Sequence, residues 1–139
     1  MEQRASEVVL DYEVRVEATP EVVFAHFIDP VLMTDWIAQH AELDSRPGGK
    51  VRLEVNGTDV VVGTVVEIVP NERLVFTWGW EGDRYAVPPG SSTVEVTFEK
   101  DGDCTVVHVR HSRLPAVARD IHAAGWAALL PRLREACVG

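Results

Sequence analysis

The stretch HSRLPAVARDIHAAGWAALLPRLREACV, residues 111–138, decides how the rest of the chain is arranged. Its apolar residues recur at helical spacing, which predicts the end of a strand followed by one long C-terminal helix. The residues that share one face of this helix are His122, Gly125, Trp126, Leu129, Leu130, Leu133 and Cys137. Glycine in the middle of a helix costs about 1 kcal/mol relative to alanine. We therefore expect the inside of a curved sheet to approach the backbone closely at Gly125, and Gly125→Leu to destabilise the fold by overpacking, by about 1 to 3 kcal/mol.

Length and charge limit the kinds of function. A chain of 139 residues can bury a sizeable core, and because no linker or repeat divides it we expect one domain over residues 1–139. The net charge of −9 would repel nucleic-acid phosphates and anionic lipids, so neither nucleic acid nor a membrane is expected as a partner. No apolar run could span a bilayer and the N-terminus has no secretory apolar segment, which favours a cytoplasmic protein.

The remaining sequence alternates between signals for strands and signals for helices. Residues 8–18 alternate apolar and polar side chains, which predicts a strand. Two short helices are then predicted where a capping side chain precedes a proline, at Thr19 and at Asp29. From Ala41 to Ser112, alternating segments separated by turn sequences predict six more strands in an antiparallel meander. The order β-α-α-β6-α predicts an α+β fold, in which a curved antiparallel sheet of about seven strands wraps around the long C-terminal helix.

Several segments carry a resemblance to a known family. They are ATPEVVFAHFIDPVLMTDWI (18–37), LDSRPGGKVRLEV (43–55), GTVVEIVPNERLVFTW (63–78), and TVVHVRHSRLP (105–115) followed by HAAGWAALLPRL (122–133). In this order and spacing they resemble the START/Bet v-like helix-grip superfamily (SRPBCC), and within it the branch similar to the C-terminal domain of the Hsp90 ATPase activator. The resemblance implies a helix-grip fold with a cavity between the sheet and the last helix. It does not imply one activity, because the fold hosts ligand carriers, aromatase/cyclases, hormone receptors and co-chaperone domains.

Apolar and aromatic side chains are the candidates for lining that cavity. A buried indole N–H requires a hydrogen-bond acceptor, which suits a pocket with some polar content. The same side chains could instead fill the space completely, so the sequence leaves open whether the cavity is empty or packed. The candidates are Phe24, Phe27, Trp36, Phe76, Trp78, Trp80, Phe98, Val109, His111, His122, Trp126 and Leu130.

Three polar residues are candidates for chemistry. His111 lies on the predicted inward face of the last strand, and His122 begins the apolar stripe of the helix. Each histidine could contact a ligand or transfer a proton near neutral pH, or could be a satisfied structural residue. Glu67 on another strand could act as a base, or could form an exposed cross-strand pair. No histidine or cysteine spacing matches a metal site and no cofactor motif is present, so we expect neither a metal nor a cofactor.

Three functions remain open from the sequence. The first is binding of a small hydrophobic or aromatic ligand in the cavity. The second is an enzyme of the cyclase, dehydratase or hydrolase kind that uses His111 with Glu67, which requires the two side chains to reach each other directly or through one water. Regulation of an Hsp90-type chaperone ranks last, because the resemblance covers only the part that matches the activator's C-terminal domain. Two copies could also form a homodimer if residues such as Val61 and Val75 make an apolar outer face.

Overall fold

One antiparallel sheet contains the seven strands that the chain forms within residues 7–138, the part that this computed structural model describes. The strands are β1 (Glu7–Val16), β2 (His40–Leu43), β3 (Lys50–Glu54), β4 (Val60–Val69), β5 (Arg73–Trp78), β6 (Ser92–Asp101) and β7 (Cys104–Pro115). The helices are α1 (Pro20–Ile28), α2 (Pro30–Met33) and α3 (Arg119–Val138), with a 3-10 turn at Ala116–Ala118 before α3.

The order of the strands explains how the chain surrounds its last helix. The strands lie in the order β1-β7-β6-β5-β4-β3-β2, so β2 to β7 form a meander and β1 pairs with β7. The strands β1 and β2 are therefore opposite edges of the sheet, and α1 and α2 carry the chain from one edge to the other. This arrangement confirms the predicted α+β helix-grip fold, a curved antiparallel sheet with the order β-α-α-β6-α.

The two short helices begin where capping side chains occur in the sequence. The side chain of Thr19 accepts a hydrogen bond from the N–H of Val22 at 3.4 Å, and Asp29 accepts one from Val31 at 2.9 Å. Each cap is followed by a proline at the first helical position, where the missing N–H would have had no helical partner. Local sequence is therefore sufficient to start both helices.

The long helix α3 packs on the concave face of the sheet. Its own Leu130 and Leu133 side chains are buried, and the hydroxyl of Tyr12 on β1 donates to the carbonyl of Ala123 at 3.3 Å. The helix continues through Pro131, which lies on the exposed side. In the described part of the chain, residues 7–138, every helix is too short or too polar to span a bilayer.

An aromatic cluster closes the end of the core under α1. The ring of Phe27 lies edge-on to Trp36 and to Phe98, with centroid distances of 4.9 and 5.3 Å, and Phe24 lies edge-on to Phe98 at 5.2 Å. The indole N–H of Trp36 donates to the backbone carbonyl of His26 at 2.8 Å. These four rings therefore pack against one another, and the indole N–H of Trp36 has a backbone acceptor.

The apolar outer face suggested for Val61 and Val75 is not present. Val61 is fully buried at 0% exposure, and Val75 is 7% exposed, so neither offers a surface for a second copy. Val61 and Val75 therefore give no basis for a homodimer, and the homodimer itself stays a prediction.

Candidate functional site

A pocket of about 250 Å³ lies between α3 and the end of β5. Its aromatic walls come from Trp78, Trp80, Tyr85, His122 and Trp126. The rest of its lining is small or aliphatic and consists of Ile37, Val55, Ile121, Gly125, Ala128 and Leu129. The pocket is therefore mainly apolar, with a few polar atoms set among aromatic rings.

The structure corrects the expectation about Gly125. A Cβ atom placed on Gly125 would meet no heavy atom within 4 Å outside its chain neighbours and the adjacent helix backbone. Nothing approaches the backbone closely here, so the expected overpacking in Gly125→Leu has no basis. The missing side chain instead leaves space at the pocket wall. The helix has a second stripe beside its core-facing one, formed by Ile121, Gly125, Ala128 and Leu129.

His111 is at the centre of a buried chain of hydrogen bonds. Trp126 donates its indole N–H to Nδ1 of His111 at 3.0 Å. Because an indole nitrogen can only donate, Nδ1 must be unprotonated and Nε2 carries the ring proton. Nε2–H donates to Oγ of Ser92 at 2.8 Å, and the Ser92 hydroxyl donates to the carbonyl of Trp78 at 2.7 Å. Both ring nitrogens of His111 are thereby occupied.

His122 is fixed in the opposite tautomer by the same reasoning. Trp80 donates its indole N–H to Nε2 of His122 at 2.9 Å. The Nδ1–H group of His122 donates to the carbonyl of Ala118 at 2.8 Å, one turn earlier in the chain. Each histidine therefore holds one tryptophan of the pocket in a defined orientation.

Burial keeps both histidines uncharged. Removal from water, together with a smaller effect of the neighbouring His122, lowers the pKa of His111 to about 3. Burial also lowers the pKa of His122. The two ring centroids are 5.4 Å apart, so two positive charges would repel each other there. Neither side chain is placed to exchange a proton near neutral pH, and both act as structural histidines that position tryptophans.

Glu67 does not reach His111. A β-bulge between Val65 and Glu67 resets the alternation of β4, so Glu67 points to the outer face of the sheet. Its carboxylate accepts a hydrogen bond from Nε of Arg73 at 2.9 Å, whereas His111 is fully buried on the inner face. The acid–base pair suggested for an enzyme is therefore not formed, and Glu67 is part of an exposed cross-strand ion pair.

The loop after β5 supplies a wall that sequence reasoning missed. The ring of Tyr85 lies 4.6 Å from that of Trp80, and its hydroxyl donates to Asp59 at 2.7 Å. Asp59 also accepts from Asn56 at 2.9 Å and from Arg84 at 3.1 Å. Hydrogen bonds from Asn56 and Tyr85 lower the pKa of Asp59. The buried carboxylate therefore holds the loop against the body of the protein.

Only some of the predicted lining residues meet at the pocket. Trp78, Trp80, His122 and Trp126 line it, and His111 lies directly behind Trp126. The others are buried in the core away from it, namely Phe24, Phe27, Trp36, Phe76, Phe98, Val109 and Leu130. Among the lining residues not predicted, Gly125 had a visible signal as a glycine inside a helical pattern, whereas Tyr85 lies in a loop without periodicity.

One buried polar atom of Trp78 has no hydrogen-bond partner among the described residues. Nε1 of Trp78 is buried, and within residues 7–138 it has no hydrogen-bond acceptor. The Trp78 ring lies between Trp80 and Trp126, with centroid distances of 5.7 and 5.6 Å. A buried donor without an acceptor costs about 1 to 3 kcal/mol, so it is a feature that requires an explanation.

Groups of three or more histidine, cysteine, aspartate or glutamate side chains arranged to hold a metal ion are absent from the described part of the chain.

The family model described as Activator of Hsp90 ATPase homolog 1-like protein matches residues 17–137. The chain belongs to this family. A comparison with curated proteins finds no match to the sequence.

Solved structures similar to this Hsp90-activator-homologue-like chain come from several bacteria. An AHSA1-like protein from Rhizobium etli is 36% identical, with a TM-score of 0.75 over 96% of this chain and 83% of that one. The protein MLL2253 from Mesorhizobium loti is 18% identical, with a TM-score of 0.82 over 93% of this chain and 96% of that one. The Aha1 dimer from Colwellia psychrerythraea is 18% identical, with a TM-score of 0.76 over 94% of this chain and 96% of that one. The last two similarities show the fold alone.

Proposed function

We propose that this protein binds a small, mainly apolar aromatic molecule in the pocket between α3 and β5. The observation that carries the proposal is Gly125, because a glycine inside a helix weakens the helix and here no neighbouring atom requires it. Its effect is to keep about 250 Å³ of apolar space open beside three tryptophan rings. A ligand that occupies this space offers a reason for the residue.

The arrangement of the histidines supports binding over catalysis. A general acid or base must have a free nitrogen and a pKa near the working pH. Both ring nitrogens of His111 and of His122 are occupied by tryptophan, serine or backbone groups. A cyclase, dehydratase or hydrolase on this scaffold would need acid–base residues other than His111 and Glu67.

Native mass spectrometry of freshly purified protein, followed by organic extraction, tests the proposal. We expect a reproducible additional mass of a small aromatic compound, or, where the ligand is lost on purification, thermal stabilisation by bicyclic aromatics from a ligand panel. If the protein carries no compound and no member of the panel raises its melting temperature, the proposal is wrong.

Two leucine variants of α3 locate the binding site. Gly125→Leu places a side chain into the pocket, whereas Ala127→Leu places the same side chain at an exposed position of the same helix. We expect Gly125→Leu to remain folded and to lose binding, while Ala127→Leu keeps it. Equal binding by both variants would mean that the ligand occupies another site.

A further inference from the structure

The segment of residues 81–86, between β5 and β6, is attached to the protein at its ends and at few points between them. The N–H of Trp80 donates to the carbonyl of Val87 at 2.8 Å, so the two ends lie side by side. Val87 is 1% exposed and anchors the second end in the core. No backbone group of residues 82–86 forms a backbone hydrogen bond with another described residue. The segment therefore has a fixed base and a tip that the backbone does not hold.

One buried carboxylate holds this tip through side chains. Asp59 is 7% exposed, lies in the turn between β3 and β4, and accepts from the hydroxyl of Tyr85 at 2.7 Å and from Arg84 at 3.1 Å. A further ion pair, of Glu81 with Arg52 at 3.6 Å, is partly exposed and holds the segment only weakly. Loss of the hydrogen bonds to Asp59 would therefore free the tip and leave the base in place.

The tip covers the pocket with one aromatic ring. Tyr85 lines the pocket, and its ring centroid lies 4.6 Å from that of Trp80 and 6.5 Å from that of His122. Those two side chains are joined by the hydrogen bond from the indole N–H of Trp80 to Nε2 of His122. Movement of Tyr85 away from them would open both the pocket and this hydrogen bond to water.

Two residues of the segment are suited to act as pivots. Gly82 and Ala86 have φ angles of 79° and 59°, and they lie on either side of Arg84 and Tyr85. A left-handed backbone is readily adopted by glycine but is unfavourable for alanine, because alanine has a Cβ atom. The closed position is therefore strained at Ala86, and the hydrogen bonds to Asp59 oppose the release of that strain.

We infer that residues 81–86 are a lid over the pocket, which Asp59 keeps closed and which opens about Gly82 and Ala86 to let the ligand enter and leave. The inference rests on the proposed function and adds the route of the ligand and the residue that controls it. If opening of the lid limits exchange, a weaker hold by Asp59 accelerates entry and exit equally and leaves the affinity almost unchanged. A residue that only contacts the ligand changes mainly the rate of dissociation.

Stopped-flow mixing with 2-naphthol, an uncharged bicyclic aromatic compound, tests the lid through the change in tryptophan fluorescence. Tyr85→Phe removes the hydrogen bond to Asp59 and keeps the ring in the pocket wall. Tyr12→Phe is the control, because its hydroxyl bonds to α3 instead. We expect both rate constants to rise about ten-fold in Tyr85→Phe, the factor that a hydrogen bond to a charged group contributes, while the dissociation constant stays within about two-fold.

Hydrogen exchange of the indole N–H of Trp80 tests the lid without any ligand. This N–H is bonded to His122 beside the Tyr85 ring, so it can exchange when the lid opens. We expect its exchange to be about ten-fold faster in Tyr85→Phe than in the wild type. The indole N–H of Trp36, which lies in the aromatic cluster under α1, should exchange at the same rate in both proteins.

The possible outcomes separate the lid from the proposed function. If 2-naphthol binds and both rate constants are unchanged in Tyr85→Phe, the ligand enters elsewhere and the inference is wrong. A rise in the dissociation rate alone would make Tyr85 a wall contact and not part of a lid. Unchanged exchange at Trp80 would mean that the segment does not open over the pocket. If neither 2-naphthol nor another bicyclic compound of the panel binds, the proposed function fails and the inference fails with it.

Discussion

Trp126 on α3 donates its indole N–H to Nδ1 of His111 on β7 across 3.0 Å. The bond joins the C-terminal helix to the sheet at the back of the pocket. It exists only while Nδ1 of His111 is unprotonated, because a protonated ring has no acceptor to offer. The attachment of α3 is therefore coupled to the protonation of one buried histidine.

Stability should fall on acidification through His111. Burial lowers the pKa of His111 from its ordinary value of 6.5 to about 3, so the unfolded chain takes up a proton over a pH range in which the folded chain does not. The contribution of His111 to the free energy of unfolding is fully present above pH 6.5, which is the pKa of histidine in the unfolded chain. It decreases by about 1.4 kcal/mol per pH unit as the pH falls from 6.5 towards 3.

The variant His111→Gln measures that contribution. Glutamine can accept from Trp126 and donate to Ser92 but does not titrate, so we expect a shallower loss of unfolding free energy between about pH 6 and about pH 4. Urea unfolding at several pH values gives the slopes. His108→Gln, at an exposed position of the same strand, is the control, and equal slopes for wild type and His111→Gln would contradict the prediction.

Gly125→Ala should stabilise the protein. The added Cβ meets no atom within 4 Å outside the adjacent helix backbone, so only the higher helix propensity of alanine acts. We expect a gain of about 0.5 to 1 kcal/mol and a rise in melting temperature of about 2 to 4 °C. The reverse change at the exposed Ala127, Ala127→Gly, should lower stability by a similar amount. A lower melting temperature for Gly125→Ala than for the wild type would mean that a neighbouring group packs closely against Gly125 after all.

Trp36→Phe should reduce stability without reducing ligand binding. The change removes the hydrogen bond to the His26 carbonyl and part of the ring packed against Phe27, at a cost of about 2 to 3 kcal/mol. Trp36 does not line the pocket, whereas Trp126 does, so Trp126→Phe should affect both properties. Chemical denaturation, and titration with a bicyclic aromatic compound that binds the wild type, separate the two effects. A similar loss of affinity in both variants would show that the pocket extends into the aromatic cluster.

Tyr85→Phe should loosen the loop that forms one wall of the pocket. The change removes the 2.7 Å hydrogen bond to Asp59 and leaves the aromatic ring beside Trp80. We expect faster amide hydrogen exchange over residues 81–87 and little change elsewhere, because the loop can open without global unfolding. Tyr12→Phe, which removes a hydroxyl bond to α3 instead, is the comparison. Unchanged exchange in Tyr85→Phe would mean that the hydroxyl does not hold the loop.

The sequence left the role of Glu67 open between a base and an exposed cross-strand pair, and the close approach that it suggested at Gly125 is not present. In a regular strand Glu67 would face the same side as Val65, which is buried. The bulge between the two residues turns the Glu67 side chain to the other face of the sheet. Gly125 stands out as a glycine inside a helical pattern, but a glycine that permits close approach and a glycine that leaves open space have the same sequence pattern. The difference depends on how far the sheet lies from α3 at that turn.

The strands, the helix starts at Thr19 and Asp29, and the wrapping of the sheet around α3 are all predictable from the sequence. These follow from periodicity, caps and turns, which act between residues close together in the chain. The identity of the tryptophans that line the pocket, and the tautomer of each histidine, cannot be predicted in this way. Those properties depend on donors and acceptors from β5, β6, β7 and α3 that lie far apart in the chain, and they are fixed only when the helix packs on the sheet.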